Sequence, residues 1–179
     1  MQRTVTQTIT ETTFIANGKR FHFYDVSGLL HHRKHWLPYF QDIILTIFLV
    51  DLSAYDQMMA ENPEMNRMVD ALNLFKEILQ HKLLTRSCML LLFNKKDLFE
   101  KKVCLVPIKD TFPDFPGEPK SAKAGGAYFE KQFRKHNEKL NKNITVHYTC
   151  CTDTKLVEKV ATNLLVSVTN LMLSSVGLM

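Results

Sequence analysis

The stretch NKKD, residues 94–97, directly follows the apolar run LLLF. A carboxylate such as Asp97 can accept hydrogen bonds from N1–H and the N2 amine of guanine, a pair of donors that adenine lacks. The Asn94 side chain can bridge neighbouring loops and reach the base, and the methylene stem of Lys95 can lie over the purine plane. A second loop of the form TCxT follows at 149–152. Together the two loops predict guanine recognition; the alternative is a polar turn that caps the next helix, with Asp97 near its N-terminus.

A second candidate loop is DVSGL, residues 25–29. Asp25 ends the apolar run FHFYD, Gly28 comes three residues later, and the basic stretch HHRKHW follows. This layout is typical of a loop that contacts a phosphate or a metal and then opens a helix. Leu29 can neither transfer a proton nor hold a water molecule by hydrogen bonding. The loop is therefore either a nucleotide switch without its catalyst or one that was never catalytic.

The composition limits the class of protein. The chain has 179 residues, of which 45% are hydrophobic and 23% charged, which is typical of one globular domain with a sizeable core. No apolar run is long enough to span a membrane, and neither a signal peptide nor a lipidation signal is recognisable. The net charge of +5 favours an acidic partner, a phosphate-bearing ligand or an anionic membrane surface, unless the lysines form a solvated face. We expect no nucleic-acid partner.

The cysteines favour a cytoplasmic location. None of them forms a CxxC pair, and no histidine spacing nearby indicates zinc. We therefore interpret them as reduced thiols of the core. They are Cys88, Cys104, Cys150 and Cys151.

Short apolar runs and amphipathic stretches alternate along the chain. This alternation predicts an α/β domain with a mostly parallel sheet, in which ligands bind at the carboxyl ends of the strands. An N-terminal hairpin is predicted from the turn signal Asn17-Gly18. The predicted strands are 4–14, 20–26, 43–50, 87–93 and 144–148, and the predicted helices are 64–80, 121–140 and 154–173.

The stretches FNKKDLFEKK, TCCTDTK, AENPEMNRM and DVSGLLHHRKHW, and the ending GLM, resemble the alpha subunit of heterotrimeric G proteins. The resemblance is ordered and nearly free of gaps from Arg3 to Met179. It implies a P-loop-NTPase-like (Ras-like) fold and a single partial GTPase domain over residues 1–179. The implied function is a GTP-binding and GTP-hydrolysing signal transducer that couples G-protein-coupled receptors to effector enzymes, with Mg²⁺ and GTP or GDP as ligands.

The resemblance also implies roles for individual residues. Arg3 would stabilise charge on the transferred phosphoryl group, while Thr6 and Asp25 would serve Mg²⁺. Asp25 also counts among the nucleotide-binding residues, and the backbone N–H of Gly28 would sense the γ-phosphate. The guanine-contacting residues would be Asn94, Lys95, Asp97, Cys151 and Thr152.

Two departures from the family pattern predict weak activity. Leu29 stands where the family has the glutamine that orients the attacking water, so hydrolysis should be impaired. The family's first strand and its P-loop, GxxxxGK[ST], do not occur in these residues. Without the P-loop, about six charge-assisted hydrogen bonds to the phosphates would be lost, at about 1.5 kcal/mol each. Their sum of ~9 kcal/mol corresponds to a loss of roughly six decades in nucleotide affinity. Without that strand, the sheet should have two open edges or close again as five strands.

Partner surfaces are implied at two places. In the family, the helix corresponding to residues 29–38, with Arg33, Lys34 and Trp36, packs on the beta-gamma dimer or on effectors. For Trp36 the alternative is a half-buried helix anchor. Gly177, Leu178 and Met179 resemble the tail that fills a receptor groove, with a frayed tail as the alternative. These partners would place a cytoplasmic protein peripherally at the inner face of the plasma membrane. The alternative function is a non-enzymatic decoy or interaction module that binds beta-gamma or receptor without nucleotide.

Overall fold

The computed structural model describes residues 9–16, 18–150 and 152–155. The chain divides into two compact units, residues 1–43 and 44–179. Each unit is compact by itself. One partial Ras-like domain over 1–179 therefore stays a prediction.

The first unit contains the predicted hairpin. Strand β1 (Thr10–Ala16) pairs antiparallel with β2 (Lys19–Asp25), and Ala16 lies opposite Lys19. Gly18 in the two-residue turn has φ +71°, a left-handed conformation that glycine adopts without a steric penalty. The hairpin is confirmed, but β1 begins later and ends later than the predicted strand 4–14, of which residues 4–8 lie outside the described residues.

The predicted helix over 29–38 is wrong as an α-helix. The segment instead forms two short 3₁₀ turns, Leu30–His35 and Leu37–Tyr39. Each turn is closed by backbone hydrogen bonds three residues apart, such as Trp36 N–H to the Arg33 carbonyl at 3.1 Å. Pro38 has no N–H to donate and lies near the start of the second turn, so it accounts for the break after Trp36; the 3₁₀ form of Leu30–His35 has no such local cause.

The second unit contains a parallel sheet. Its strands are β3 (Leu45–Asp51), β4 (Cys88–Asn94) and β5 (Ile144–Tyr148), in the order β3-β4-β5. This arrangement confirms the predicted α/β class and the three predicted strands, but only β4 is mostly buried, while Leu49 of β3 is 56% exposed. Among the described residues, the hairpin and this sheet are separate sheets, so the alternative of a closed five-stranded sheet is wrong.

Three helices accompany the sheet: α1 (Arg67–Gln80), α2 (Lys96–Val103) and α3 (Ala122–Lys135). Helix α1 begins three residues later than predicted because Asn66 caps it; the Asn66 side chain accepts from the N–H groups of Met68 and Val69 at 2.8 and 3.2 Å. The core between these elements is largely aromatic. Its largest fully buried side chains include Tyr55, Phe75, Phe93, Phe99, Phe129 and Phe133.

Helix α3 begins at the Ser121 cap and ends five residues before the predicted end at residue 140. Gly125 and Gly126, which argue against a helix by propensity, lie inside it and are buried. A Cβ on Gly125 would lie 2.4 Å from Cδ1 of Ile108, and one on Gly126 would lie 3.0 Å from the Tyr148 ring. The two glycines therefore permit a close approach that any larger residue would disturb.

The predicted last helix, 154–173, lies outside the described residues from 156 onward. Within the described parts of the chain, no helix has the length and apolar character needed to cross a membrane.

Candidate functional site

The candidate loops of the second unit meet at one edge of its sheet. In the parallel register Asp51 lies beside Asn94, and Phe93 lies beside Tyr148. The residues after β3, β4 and β5 therefore emerge side by side at the carboxyl edge, where ligands bind in open α/β sheets. The register brings the loop 94–97 next to the loop that begins at Thr149.

Three hydrogen bonds connect these two loops. The N–H of Thr149 donates to the Phe93 carbonyl at 2.7 Å, and the N–H of Lys96 donates to the Thr149 carbonyl at 3.2 Å. The Thr149 hydroxyl donates to Oδ1 of Asn94 at 3.4 Å. The proposed bridging by Asn94 is thus observed, with Thr149 as its partner. Our sequence reasoning did not assign Thr149 a role; its place directly after the apolar strand ITVHY could have indicated one.

Lys95 occupies the turn between β4 and α2. It adopts a left-handed backbone conformation with φ 58°, which is uncommon for a side-chain-bearing residue. Its ammonium nitrogen lies 2.5 Å from Oδ2 of Asp51. The lysine side chain consequently reaches back from the end of β4 to the end of β3.

Asp51 is the second residue that our sequence reasoning did not assign to the site. Its carboxylate also accepts from the N–H and hydroxyl of Ser53 at 3.1 and 2.6 Å, and a guanidinium nitrogen of Arg67 lies 4.0 Å from it. Burial raises the pKa of the Asp51 carboxyl, but the hydrogen bonds from Lys95 and Ser53 and the charges of Lys95 and Arg67 outweigh it. The pKa of Asp51 therefore lies below its ordinary value. The sequence feature that could have assigned Asp51 to the site is its position directly after the apolar run IILTIFLV.

Asp97 lies in the first turn of α2, two residues after Lys95, which is the N-cap residue of the helix. Its side chain is half-buried. Within the described ranges, no protein donor contacts its carboxylate, so both oxygens can accept from a ligand. Its place in the first turn also fits the alternative of a residue that stabilises the helix N-terminus.

The remaining predicted base-contacting positions are at the end of the described chain. The Thr152 hydroxyl lies 2.9 Å from the Cys150 sulfur, and Thr152 is exposed. Cys151 lies outside the described residues. So do Arg3, Thr6 and the predicted receptor tail Gly177, Leu178 and Met179.

The loop after β2 belongs to the first unit. Asp25 ends the strand opposite Thr10, and its side chain is exposed. The Gly28 carbonyl accepts from both Nε and Nη2 of Arg33 at 3.3 Å. Leu29 precedes the first 3₁₀ turn and has its side chain half-exposed. Asp25, Gly28 and Leu29 thus lie within five residues at the end of β2, and none of the three is buried.

Trp36 anchors this loop. Its indole N–H donates to the Ser27 carbonyl at 3.1 Å, and only 6% of the residue is exposed. The Ser27 hydroxyl in turn lies 3.0 Å from Nδ1 of His32. The geometry favours the anchor interpretation of Trp36, more deeply buried than expected. The role of Arg33 and the exposed Lys34 in partner binding stays a prediction.

The predicted Mg²⁺ site stays a prediction as well. Of its two residues, Thr6 lies outside the described residues and Asp25 is exposed at a strand end. In residues 9–16, 18–150 and 152–155, no group of three or more histidine, cysteine, aspartate or glutamate side chains could hold a metal ion. By the resemblance, Asp25 would hold the ion through a water molecule.

Comparison with protein-family models matches residues 1–168 to the family described as the G-protein alpha subunit. The matched range includes the first unit, most of the second unit, both guanine-loop segments and the loop 25–29. It covers well over half of the 179 residues.

Proposed function

Because this chain belongs to the G-protein alpha subunit family, we propose that it recognises the guanine base of GTP and GDP and acts as a slow signal transducer between receptors and effectors. The base-binding loops carry the proposal. The loops at 94–97 and 149–152 are already joined through Thr149 without a ligand. A ligand would therefore meet a preorganised edge and lose little free energy to loop ordering.

The chemistry of base recognition follows from three side chains. Asp97 accepts from N1–H and the N2 amine of guanine, and adenine offers no equivalent pair of donors. The Lys95 stem provides an apolar surface for the purine plane. Asn94, whose Oδ1 accepts from the Thr149 hydroxyl, also carries an amide N–H₂ group of the type that can donate to the base.

GTP hydrolysis is proposed to be slow. Leu29 has no donor or acceptor with which to orient a water molecule, while Arg3, Thr6 and Asp25 retain the types needed for charge stabilisation and Mg²⁺ binding. When bound, Mg²⁺ would neutralise charge on the phosphates. Nucleotide affinity is proposed to be weak, because these 179 residues contain no GxxxxGK[ST] sequence to supply backbone donors to the phosphates.

The test is equilibrium binding of a non-hydrolysable GTP analogue with Mg²⁺ to the 179-residue chain and to the variant Asp97→Asn. A matched control is Asp42→Asn, which makes the same change at an exposed position whose positive φ of 59° suits asparagine. We expect micromolar to millimolar binding by the native chain and the control, and a loss of about tenfold or more in Asp97→Asn. Equal affinity in all three proteins would overturn the proposal.

A second candidate function is a non-enzymatic interaction module for the beta-gamma dimer or a receptor. It is favoured by the two 3₁₀ turns, which expose Leu30, Leu37 and Tyr39 beside the basic residues Arg33 and Lys34. Exposed apolar side chains next to cations suit a partner with an acidic rim. Beta-gamma pull-downs distinguish the functions: a decoy binds equally with GDP, with a GTP analogue and without nucleotide, whereas a transducer binds preferentially with GDP.

A further inference from the structure

Several side chains at the carboxyl edge of the sheet contact the carboxylate of Asp51. It ends β3 beside Asn94 in the ladder, and its carboxylate receives Lys95, Ser53 and, at longer range, Arg67. A single carboxylate thus ties together the ends of β3 and β4 and the start of α1. Its side chain is 18% exposed, so water screens these contacts less than it would on an open surface.

The contact with Asp51 determines where the Lys95 side chain lies. Lysine has a flexible four-carbon stem and loses rotamer freedom when it is held. The 2.5 Å contact at its tip and the left-handed backbone at its root fix both ends of that stem. The methylene groups are therefore held across the carboxyl edge before any ligand binds.

The same contact neutralises the Lys95 ammonium. Two further cations near Asp51 and Lys95 are also paired: Arg67 donates to Oε1 of Gln57 at 2.9 Å and approaches Asp51, and Lys96 lies 3.5 Å from Glu100. A cation that is already paired with a carboxylate attracts a phosphate only weakly. Among residues 94–100, Asp51 and Arg67, carboxylates and cations are equal in number. They are Asp51, Asp97 and Glu100, against Arg67, Lys95 and Lys96.

We infer that Asp51 positions Lys95 and cancels its charge, so that this edge recognises guanine nucleosides with an affinity that does not depend on the number of phosphates. The inference rests on the proposed function and names its ligand class: the base with its sugar, phosphorylated or not. Asp51 acts through Lys95 and is a positioning residue. Releasing Lys95 from Asp51 should both loosen the base platform and create a site that favours phosphates.

The experiment compares guanosine, GMP, GDP and adenosine by calorimetric titration of the 179-residue chain. EDTA is included so that no divalent cation links phosphates to Thr6 or Asp25. For the native chain we expect the three guanine ligands to bind within about threefold of one another, and adenosine at least about tenfold more weakly. Thermal unfolding of every variant is measured alongside, to show that each protein is folded.

Three variants separate positioning from charge. In Asp51→Asn, guanosine affinity should fall about tenfold, and the ratio of GDP affinity to guanosine affinity should rise to about ten, because the freed ammonium attracts phosphate. In the double variant Asp51→Asn with Lys95→Met, that ratio should return to near one. Lys95→Met alone should weaken guanosine binding and lower the ratio below one, because the Asp51 carboxylate then repels phosphate. A purely structural role for Asp51 would weaken all guanine ligands equally.

The outcomes distinguish this inference from the proposed function. GDP binding to the native chain more than about thirtyfold tighter than guanosine binding would overturn the inference and leave guanine recognition standing. An unchanged ratio and unchanged guanosine affinity in folded Asp51→Asn would also overturn it. Equal binding of guanosine and adenosine by the native chain would overturn both the inference and the proposed function.

Discussion

The Thr149 hydroxyl donates to Oδ1 of Asn94 at 3.4 Å, from a residue that is only 2% exposed. This contact connects the two loops on either side of the candidate base site, across the register between β4 and β5.

Replacing Thr149 with valine keeps the shape of the side chain and removes this hydrogen bond. We expect the free energy of unfolding to fall by about 1 kcal/mol and guanosine affinity to fall severalfold, because Oδ1 of the half-buried Asn94 loses the donor that connects the two loops. Urea unfolding and nucleoside titration measure the two effects. Thr145→Val, at an exposed position of β5, is the matched control and should change neither; unchanged binding in Thr149→Val would refute the bridging role.

Leu29→Gln tests the account of slow hydrolysis. Glutamine can orient a water molecule and leucine cannot, so we expect single-turnover GTP hydrolysis with Mg²⁺ to accelerate about tenfold or more. Leu30→Gln, one residue further along, is the control and should leave the rate at the native value. A rate that does not respond to Leu29→Gln would mean that the loop 25–29 is not a catalytic switch.

The pairing of Asp51 predicts a pH dependence of stability. Its pKa is lower in the folded chain than the usual value of about 3.9, so the folded state binds fewer protons than the unfolded state between these two pKa values. The stabilisation by the carboxylate is therefore fully present above about pH 4 and is lost as the pH falls through the folded-state pKa. Other carboxyl groups titrate in the same range, so the difference between native chain and Asp51→Asn is the quantity to measure.

We expect that difference in unfolding free energy to be constant from about pH 5 to 7 and to shrink in stronger acid. Urea unfolding at a series of pH values provides the measurement. A difference that grows as the pH falls would contradict the sign derived from the contacts of Asp51.

Gly125→Ala tests the close packing of α3. An added Cβ would lie 2.4 Å from the buried Ile108 side chain and 3.0 Å from Phe99, and such overpacking costs about 1–3 kcal/mol. Alanine's better helix propensity offsets up to about 1 kcal/mol, so we expect a net loss of about 1 kcal/mol or more in unfolding free energy. Gly28→Ala, where nothing lies within 4 Å of the added carbon, should be neutral for stability; a stabilised Gly125→Ala would contradict the packing.

The sheet and its carboxyl-edge loops could be predicted from sequence because continuous apolar runs mark strands that are buried on both faces. The hairpin could be predicted because Asn17-Gly18 favours a two-residue turn. The helix over 29–38 was mispredicted: Pro38 explains the break before the second turn, but no residue type in 30–35 distinguishes a 3₁₀ turn from an α-helix. The low helix propensity of Gly125 and Gly126 disfavours a helix there, yet α3 includes both glycines because Ile108 and Tyr148 pack closely against them. The contact between Asp51 and Lys95 joins residues 44 positions apart, and no local pattern reports where a flexible lysine tip will lie.

The most direct test of guanine recognition by Asp97 compares guanosine with inosine, which lacks only the N2 amine. If Asp97 accepts from both N1–H and that amine, inosine should bind the native chain about tenfold more weakly than guanosine, and Asp97→Asn should bind both nucleosides with nearly equal affinity. Equal affinity of the native chain for guanosine and inosine would contradict the assignment of Asp97 as the guanine-reading carboxylate.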